Sequence, residues 1–228
     1  MKGKVKRRVI AWVLSFALVM GTVLGGPGLF MKAHAADAGV LYIIDSIGGT
    51  PESVTEDCTD SAGGWSYDAG TATLTLDGFQ GEYIEANGDI NIVLKGKNKI
   101  TISAESTEGI KSTGKVTIDD TISPVQDCLD IYCNDGTESV SMIYTGGFGA
   151  DYATYIVGGT VNLVEENTRR RYVTGISRWA YVENDASLNI NLSADGGRNG
   201  AAALLNLNTS GDTSFRVNSL SSSSYGVY

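Results

Sequence analysis

The chain of 228 residues has one histidine, three prolines and three cysteines. The histidine, His34, stands at the end of a segment with the marks of an export signal. Once that segment is removed no imidazole remains. A chain without imidazole cannot run a Ser-His-Asp or Cys-His mechanism, ligate zinc through histidine or use a histidine general base. An odd number of cysteines in an exported protein argues against a disulfide framework. Cys128 and Cys133 are close enough in sequence to pair, but both flank an apparent strand, where cysteine more often fills a core. Charged residues are scarce (19%) and hydrophobic ones plentiful (42%), which excludes a disordered tail. Few prolines beside 29 glycines suit short strands and tight turns better than long helices.

Lys2, Lys4, Lys6, Arg7 and Arg8 form a basic start, and Val9 to Leu24 is an almost unbroken apolar run. Gly25, Gly26 and Pro27 break it, and Ala33-His34-Ala35 places small residues at a cleavage site, so residues 1–35 read as a signal peptide cut after Ala35. The break and the Ala-x-Ala ending favour cleavage over a retained anchor, and no later stretch is long and apolar enough for a membrane helix. The signal takes six of the 17 basic residues and none of the 26 acidic ones. The exported remainder is a polyanion that repels nucleic acid and anionic lipid and attracts calcium, which needs clustered carboxylate and carbonyl oxygens.

An internal repeat is the main signal. Gly88, Gly114, Asp135, Gly159, Asp185 and Gly211 follow one another at intervals of 21 to 26 residues. Ile84, Ile110, Ile131, Ile156, Val182 and Leu207 precede them by three or four places. An apolar-polar-apolar triplet follows each: 90–92, 116–118, 140–142, 161–163, 188–190 and 215–217. Strict alternation rich in β-branched residues means strands with every second side chain inward. A period near 25 residues, with two or three short strands per unit, predicts an all-β fold: a right-handed parallel β-helix of about six coils over residues 65–228. One coil cannot bury enough apolar surface to offset its ordering entropy, so coils must stack.

A bare end of such a stack is an open sheet edge. At the amino-terminal side, residues 36–64 are expected to supply a strand from Gly39 to Ser46 and a loop over residues 48–64. Trp65-Ser66-Tyr67 and Thr71 to Leu76 form a hairpin around Asp68-Ala69-Gly70. Ala72, Leu74 and Leu76 face one side of it and Thr71, Thr73 and Thr75 the other. Tyr225-Gly226-Val227-Tyr228 reads as the start of a further unit, as in a piece of a longer chain.

The stretch Trp65 to Phe79, then Ile84, then Gly88 to Ile100, Gly109-Ile110 and Gly114 to Ile118 resembles a repeat of exported surface proteins of Gram-positive bacteria, often described as carbohydrate-binding domain-containing. The resemblance implies a right-handed parallel β-helix that binds plant cell-wall polysaccharide, uses calcium structurally and does not catalyse. It is strong over residues 65–118, pattern-level beyond, and transfers no ligand-binding residue one by one.

The residues themselves offer two sugar-binding arrangements. The triplet centres Asn91, Thr117, Ser141, Asn162, Asn189 and Arg216 are expected to stack on one outer face, a ladder of amides and hydroxyls at a regular rise. Around residues 169–198, Arg169, Arg170, Arg171, Arg178 and Arg198 interleave with Tyr172, Trp179 and Tyr181. Aromatic faces stack on sugar rings and guanidinium forks grip carboxylates, so this patch points to an acidic sugar chain. Asp119, Asp120, Asp127 and Asp130 are the candidate calcium ligands, without EF-hand spacing. Catalysis by Asp119-Asp120, as in pectin-cleaving β-helices, is disfavoured because adjacent strand residues point to opposite sides. The expected function is exported, non-catalytic polysaccharide binding. A surface adhesin for a protein partner and a pectin-active lyase or hydrolase are the alternatives.

Overall fold

The computed structural model describes residues 40–104, 106–120, 127–134, 136, 139–147, 149–166, 172–193, 200–210, 213–219 and 224–227. The predicted signal peptide and its cleavage site lie outside them. The fold is all-β. In chain order the amino-terminal strands are β1 (Leu41–Ile44), β2 (Glu52–Val54), β3 (Cys58–Asp60), β4 (Trp65–Asp68) and β5 (Thr73–Asp77). Next come β6 (Gln80–Gly81), β7 (Tyr83–Ala86), β8 (Ile90–Lys95), β9 (Lys97–Ile102), β10 (Glu108–Ser112), β11 (Val116–Asp120) and β12 (Cys128–Cys133). The last are β13 (Val140–Thr145), β14 (Thr154–Ile156), β15 (Thr160–Glu166), β16 (Tyr172–Val182), β17 (Ser187–Ser193), β18 (Gly200–Thr209), β19 (Ser214–Ser219) and β20 (Ser224–Val227).

From β5 onward neighbouring strands pair in parallel and fall into three ladders, visited in rotation by the chain. The first runs β7, β10, β13, then the front half of β16, β18 and β20. The second runs β5, β8, β11, β14 and the back halves of β16 and β18. The third runs β6, β9, β12, β15, β17 and β19. Because β16 pairs with both β13 and β14, the first two ladders join there into one sheet, while the third is a sheet of its own.

Alternation explains the interior. Ile84, Ile110, Ile143 and Ile176 stack in register inside the first ladder. Leu74, Ile92, Ile118, Ile156 and Val182 do so in the second, and Ile100, Ile131, Leu163 and Ile190 in the third. All are buried, forming one apolar column whose dispersion contacts and removal from water hold the ladders together.

The amino-terminal side is antiparallel. β1 pairs with β7 and β2, and β3 with β4. The expected hairpin is β4–β5, with Trp65 opposite Leu76 and Asp68 opposite Thr73. Its inward residues Ala72, Leu74 and Leu76 are buried. Residues 48–64, expected to be a loop, contain β2 and β3. Strands of three residues carry too little alternation to register as a period.

One further expectation is corrected. The triplets do not stack on one face: 90–92 and 116–118 belong to the second ladder, 140–142 to the first, and 161–163, 188–190 and 215–217 to the third. All three ladders carry the same apolar-polar-apolar pattern, so sequence spacing slipped from one to another. True vertical neighbours are more widely and unevenly spaced: Asp130 and Asn162 lie 32 residues apart and Asn162 and Asn189 27 apart. Cys58, Cys128 and Cys133 are all free thiols, in keeping with the reading that cysteines flanking this strand do not pair. Cys128 and Cys133 occupy opposite ends of β12, and Cys133 is buried in the column.

At Gly81 the chain passes between the Phe79 ring and the Ile44 carbonyl, and a Cβ there would collide with both. The same carbonyl accepts the Glu82 N–H at 2.8 Å, tying β1 to the link between β6 and β7. Gly81→Ala is therefore expected to lower unfolding free energy by about 1–3 kcal/mol, the cost of overpacking a closed site. Urea denaturation at constant m-value checks this.

Candidate functional site

The outer face of the second ladder gathers the most distinctive chemistry. Reading across its strands, Thr73, Asn91, Thr117, Tyr155 and Tyr181 are successive register partners on the outward row. The strand spacing of about 4.8 Å sets the outcome for the two tyrosines: their rings stack with centroids 4.5 Å apart and planes 6° from parallel. Trp179 precedes Tyr181 by two residues, so it leaves the strand on the same side, and its ring lies 6.3 Å away at 29°. The Lys115 ammonium stands 5.7 Å from the Tyr155 centroid. All three rings are half-buried. Burial pushes the Tyr155 hydroxyl above its ordinary pKa, with Tyr181, Glu183 and Asp151 adding to the effect. It remains a neutral donor and gives its proton to the Ala150 carbonyl at 3.3 Å. Asn91 is exposed and donates from Nδ2 to the Thr71 carbonyl at 3.2 Å, leaving its amide oxygen outward-facing chemistry to offer.

The other predicted sugar-binding residues are scattered. Asn162 and Asn189 lie in the third ladder with Arg216. Asn189 Nδ2 donates to Asn162 Oδ1 at 2.9 Å, and Asn162 Nδ2 to Asp130 Oδ1 at 2.6 Å. These side chains bond to one another as a staple across the adjacent strands β12, β15 and β17. Ser141 belongs to the first ladder. Tyr172 opens β16 on that ladder, and Arg178 sits over the Tyr144 ring at 5.7 Å. Tyr144 neighbours Lys111, which is ion-paired with Glu85 at 2.8 Å. The expected basic-aromatic patch is thus divided: Trp179 and Tyr181 face one way and Arg178 stands with another ladder. Arg169, Arg170, Arg171 and Arg198 lie outside the described residues.

Tyr155 was not among the predicted residues. Its partner Tyr181 is visible only once β14 is placed beside the back half of β16. The pattern Thr-Tyr-Ile (154–156) matching Ala-Tyr-Val (180–182) was the available signal.

Of the four aspartates proposed as calcium ligands, three converge. Asp119 and Asp120 both direct Oδ1 at Gly158, with Asp119 Oδ1 2.6 Å from where a Cβ would sit. Asp127 is buried and its Oδ1 accepts the Gly96 N–H at 2.7 Å. Asp119 Oδ1 also accepts the Asp120 N–H at 2.8 Å. Burial, then the negative charges of Asp119 and Asp127, raises the Asp120 pKa. Asp130 is elsewhere, holding Asn162. Among the described residues no group of three or more His, Cys, Asp or Glu side chains is arranged to hold a metal ion. The four carboxylates are not gathered at one point: Asp119 and Asp127 each accept a backbone N–H, and Asp130 lies in the third ladder.

No protein-family profile matches the chain, and neither a curated protein nor a solved structure matches it.

Proposed function

We propose that the chain is an exported, right-handed parallel β-helix that binds a polysaccharide on the outer face of its second ladder without cleaving it. The three ladders visited in rotation support the solenoid, since each circuit lays one strand on each. The observation that carries the binding reading is the Tyr155–Tyr181 stack with Trp179 beside it. The facing sides of the two tyrosine rings cover each other, so a pyranose's apolar C–H face would pack on the Trp179 ring and the outer tyrosine surfaces, and its rim hydroxyls need hydrogen-bond partners. Asn91 and Thr117 supply such partners in the same row. The non-catalytic reading rests on the acidic pair: Asp119 and Asp120 turn onto Gly158 and the backbone rather than an open groove. Arg178, the arginine a lyase would use, stands over Tyr144 on another ladder.

Affinity electrophoresis through gels containing pectin, polygalacturonate, xylan or a soluble cellulose derivative tests this. Retardation by at least one polymer is expected, with no fall in its viscosity. Tyr155→Ala and Tyr181→Ala should each weaken retention about tenfold, the loss of one stacking contact of roughly 1.4 kcal/mol, with unchanged far-UV circular dichroism. Unaltered mobility of folded protein in every gel would sink the reading. Falling viscosity would replace it with an enzyme.

A further inference from the structure

On the same sheet as this aromatic platform, several strands away, lies a hollow that the sugar-binding reading does not use. It has a volume of about 400 Å³ and is bounded by β3, β4, β5 and the turns joining them, with Thr59, Ser66, Thr71, Thr73 and Thr75 in its lining. A smaller hollow of about 170 Å³ shares Thr59, Ser66 and Thr75 with it. Both exist because the antiparallel strands extend the second ladder's sheet beyond its first coil: β3, β4, β5, β8, β11, β14 and β16 are neighbours in that order. Thr73 is in register with Asn91, and Asn91 with Thr117, Tyr155 and Tyr181 in turn. Thr73 therefore belongs both to the hollow's lining and to the row that carries the aromatic stack.

We infer that the binding site is one continuous track, running across the strands from the threonine-lined hollow to the Tyr155–Tyr181 stack, and that it takes an uncharged, hydroxyl-rich glycan chain several sugars long. This rests on the sugar-binding reading and extends it. Four strand steps separate Thr73 from Tyr181, and at about 4.8 Å each the track is roughly 19 Å long. Its two ends divide the work by chemistry. The aromatic end takes ring faces, while the hollow takes hydroxyls. There Thr71 Oγ1 donates to Thr73 Oγ1 at 3.0 Å and Thr73 Oγ1 to the Thr71 carbonyl at 3.3 Å, a chain of hydroxyls with lone pairs left to accept.

Charge selects the ligand class. Asp57 and Asp68 are the ionisable carboxylates of the larger hollow, and its lining contains no lysine or arginine. Asp57 Oδ1 accepts the Ala69 N–H at 2.9 Å and Asp68 Oδ1 the Thr71 N–H at 3.1 Å, which holds both at the rim. A uronic acid there would face two carboxylates with no cation to answer them. A neutral sugar meets hydroxyls that both donate and accept, beside the two carboxylates, which accept. Cations stand elsewhere along the track: Lys115 is 5.7 Å from the Tyr155 centroid at the aromatic end and Lys95 lines the smaller hollow, while Arg178 stands with the first ladder; the choice of an uncharged ligand therefore rests on the larger hollow alone.

Isothermal titration with a dimer and a hexamer of one neutral glycan that retards the protein, and with uronic-acid oligomers of the same lengths, tests the inference. The neutral hexamer is expected to bind at least about tenfold more tightly than the dimer, and the uronic-acid hexamer to show no such gain. Thr73→Val and Thr59→Val each remove one hydroxyl at nearly constant shape, and together they should bring hexamer affinity down toward that of the dimer while leaving the dimer unchanged. Ser66→Trp, which fills the hollow, should do the same. Tyr181→Ala should weaken both lengths. If hexamer and dimer bind alike, or the hollow variants change nothing while Tyr181→Ala still does, the extended track is wrong and the aromatic platform stands. An equal gain for the uronic-acid hexamer would overturn the choice of an uncharged ligand. If no oligomer of any kind binds, both readings fall together.

Discussion

Replacing Asn98 with leucine is expected to lower the unfolding free energy by about 3–5 kcal/mol, among the largest effects of any single substitution away from the apolar column. Asn98 is buried at 1% exposure and faces inward where the third ladder begins. Its Oδ1 accepts the Phe79 N–H at 3.0 Å. Its Nδ2 faces three carbonyls, those of Lys95 at 3.2 Å, Cys128 at 3.3 Å and Gly96 at 3.5 Å. The side chain thus joins three successive passages of the chain at one corner. Leucine has nearly the same volume, so the loss measures orphaned backbone groups rather than a cavity. Asn98→Asp should be at least as damaging, because it turns an acceptor toward those carbonyls. Urea titration with unchanged m-value reads the effect, and a loss below about 1 kcal/mol would show that water replaces the amide at no great cost.

That corner also shows what sequence can and cannot carry. The alternation in Ile90 to Leu94 and Val116 to Ile118 named the strands, and Trp65 to Leu76 named the hairpin, because both signals are local. Which ladder a triplet joins is not local. It depends on the length of each intervening turn, and the turns differ, so six similar triplets were assigned to one face when they occupy three. The same slip hid the Tyr155–Tyr181 stack and assembled Arg178 with Trp179 and Tyr181 although it faces Tyr144. Asn98 looked like any polar residue between Lys97 and Lys99. Its inward direction follows only from the strand phase that also buries Ile100 and Ile102.

The second large effect is an acid transition centred on Glu82. Burial pushes its carboxyl up, but hydrogen bonds from Ser103, the Gly48 N–H and Ser106 outweigh burial and leave its pKa below the ordinary 4.5. The Gly48 N–H donates to Oε2 at 2.9 Å and Ser106 Oγ to Oε1 at 3.0 Å, so the carboxylate ties the turn after β1 to the turn after β9. A carboxyl depressed on folding contributes stability that is present above the unfolded pKa and lost as pH falls through the folded one. Glu85 acts in the same sense. Burial opposes ionisation there, and Lys111 and Tyr83 outweigh it. Asp120 acts the other way, because its pKa is raised on folding and its stabilising share fades as pH rises. The expected result is a fall in melting temperature as pH drops below about 4.5, smaller in Glu82→Gln than in the parent. At pH 7, Glu82→Ala should cost about 2–4 kcal/mol by thermal denaturation, as expected for charge-assisted hydrogen bonds lost with the serines and the glycine N–H left behind. Equal acid sensitivity of Glu82→Gln and parent would remove Glu82 from this role.

The antiparallel amino-terminal strands have a kinetic consequence as well. In a parallel ladder every strand meets its neighbour only after the chain has made a full circuit, so each contact requires a long loop to close before it returns any free energy. β1–β2, β3–β4 and β4–β5 are joined by short connections and need no such circuit. They are the pairs able to form early, and β5 then offers β8 a finished edge while β1 offers β7 another. The parallel strands that follow then have edges already in place on which to pair.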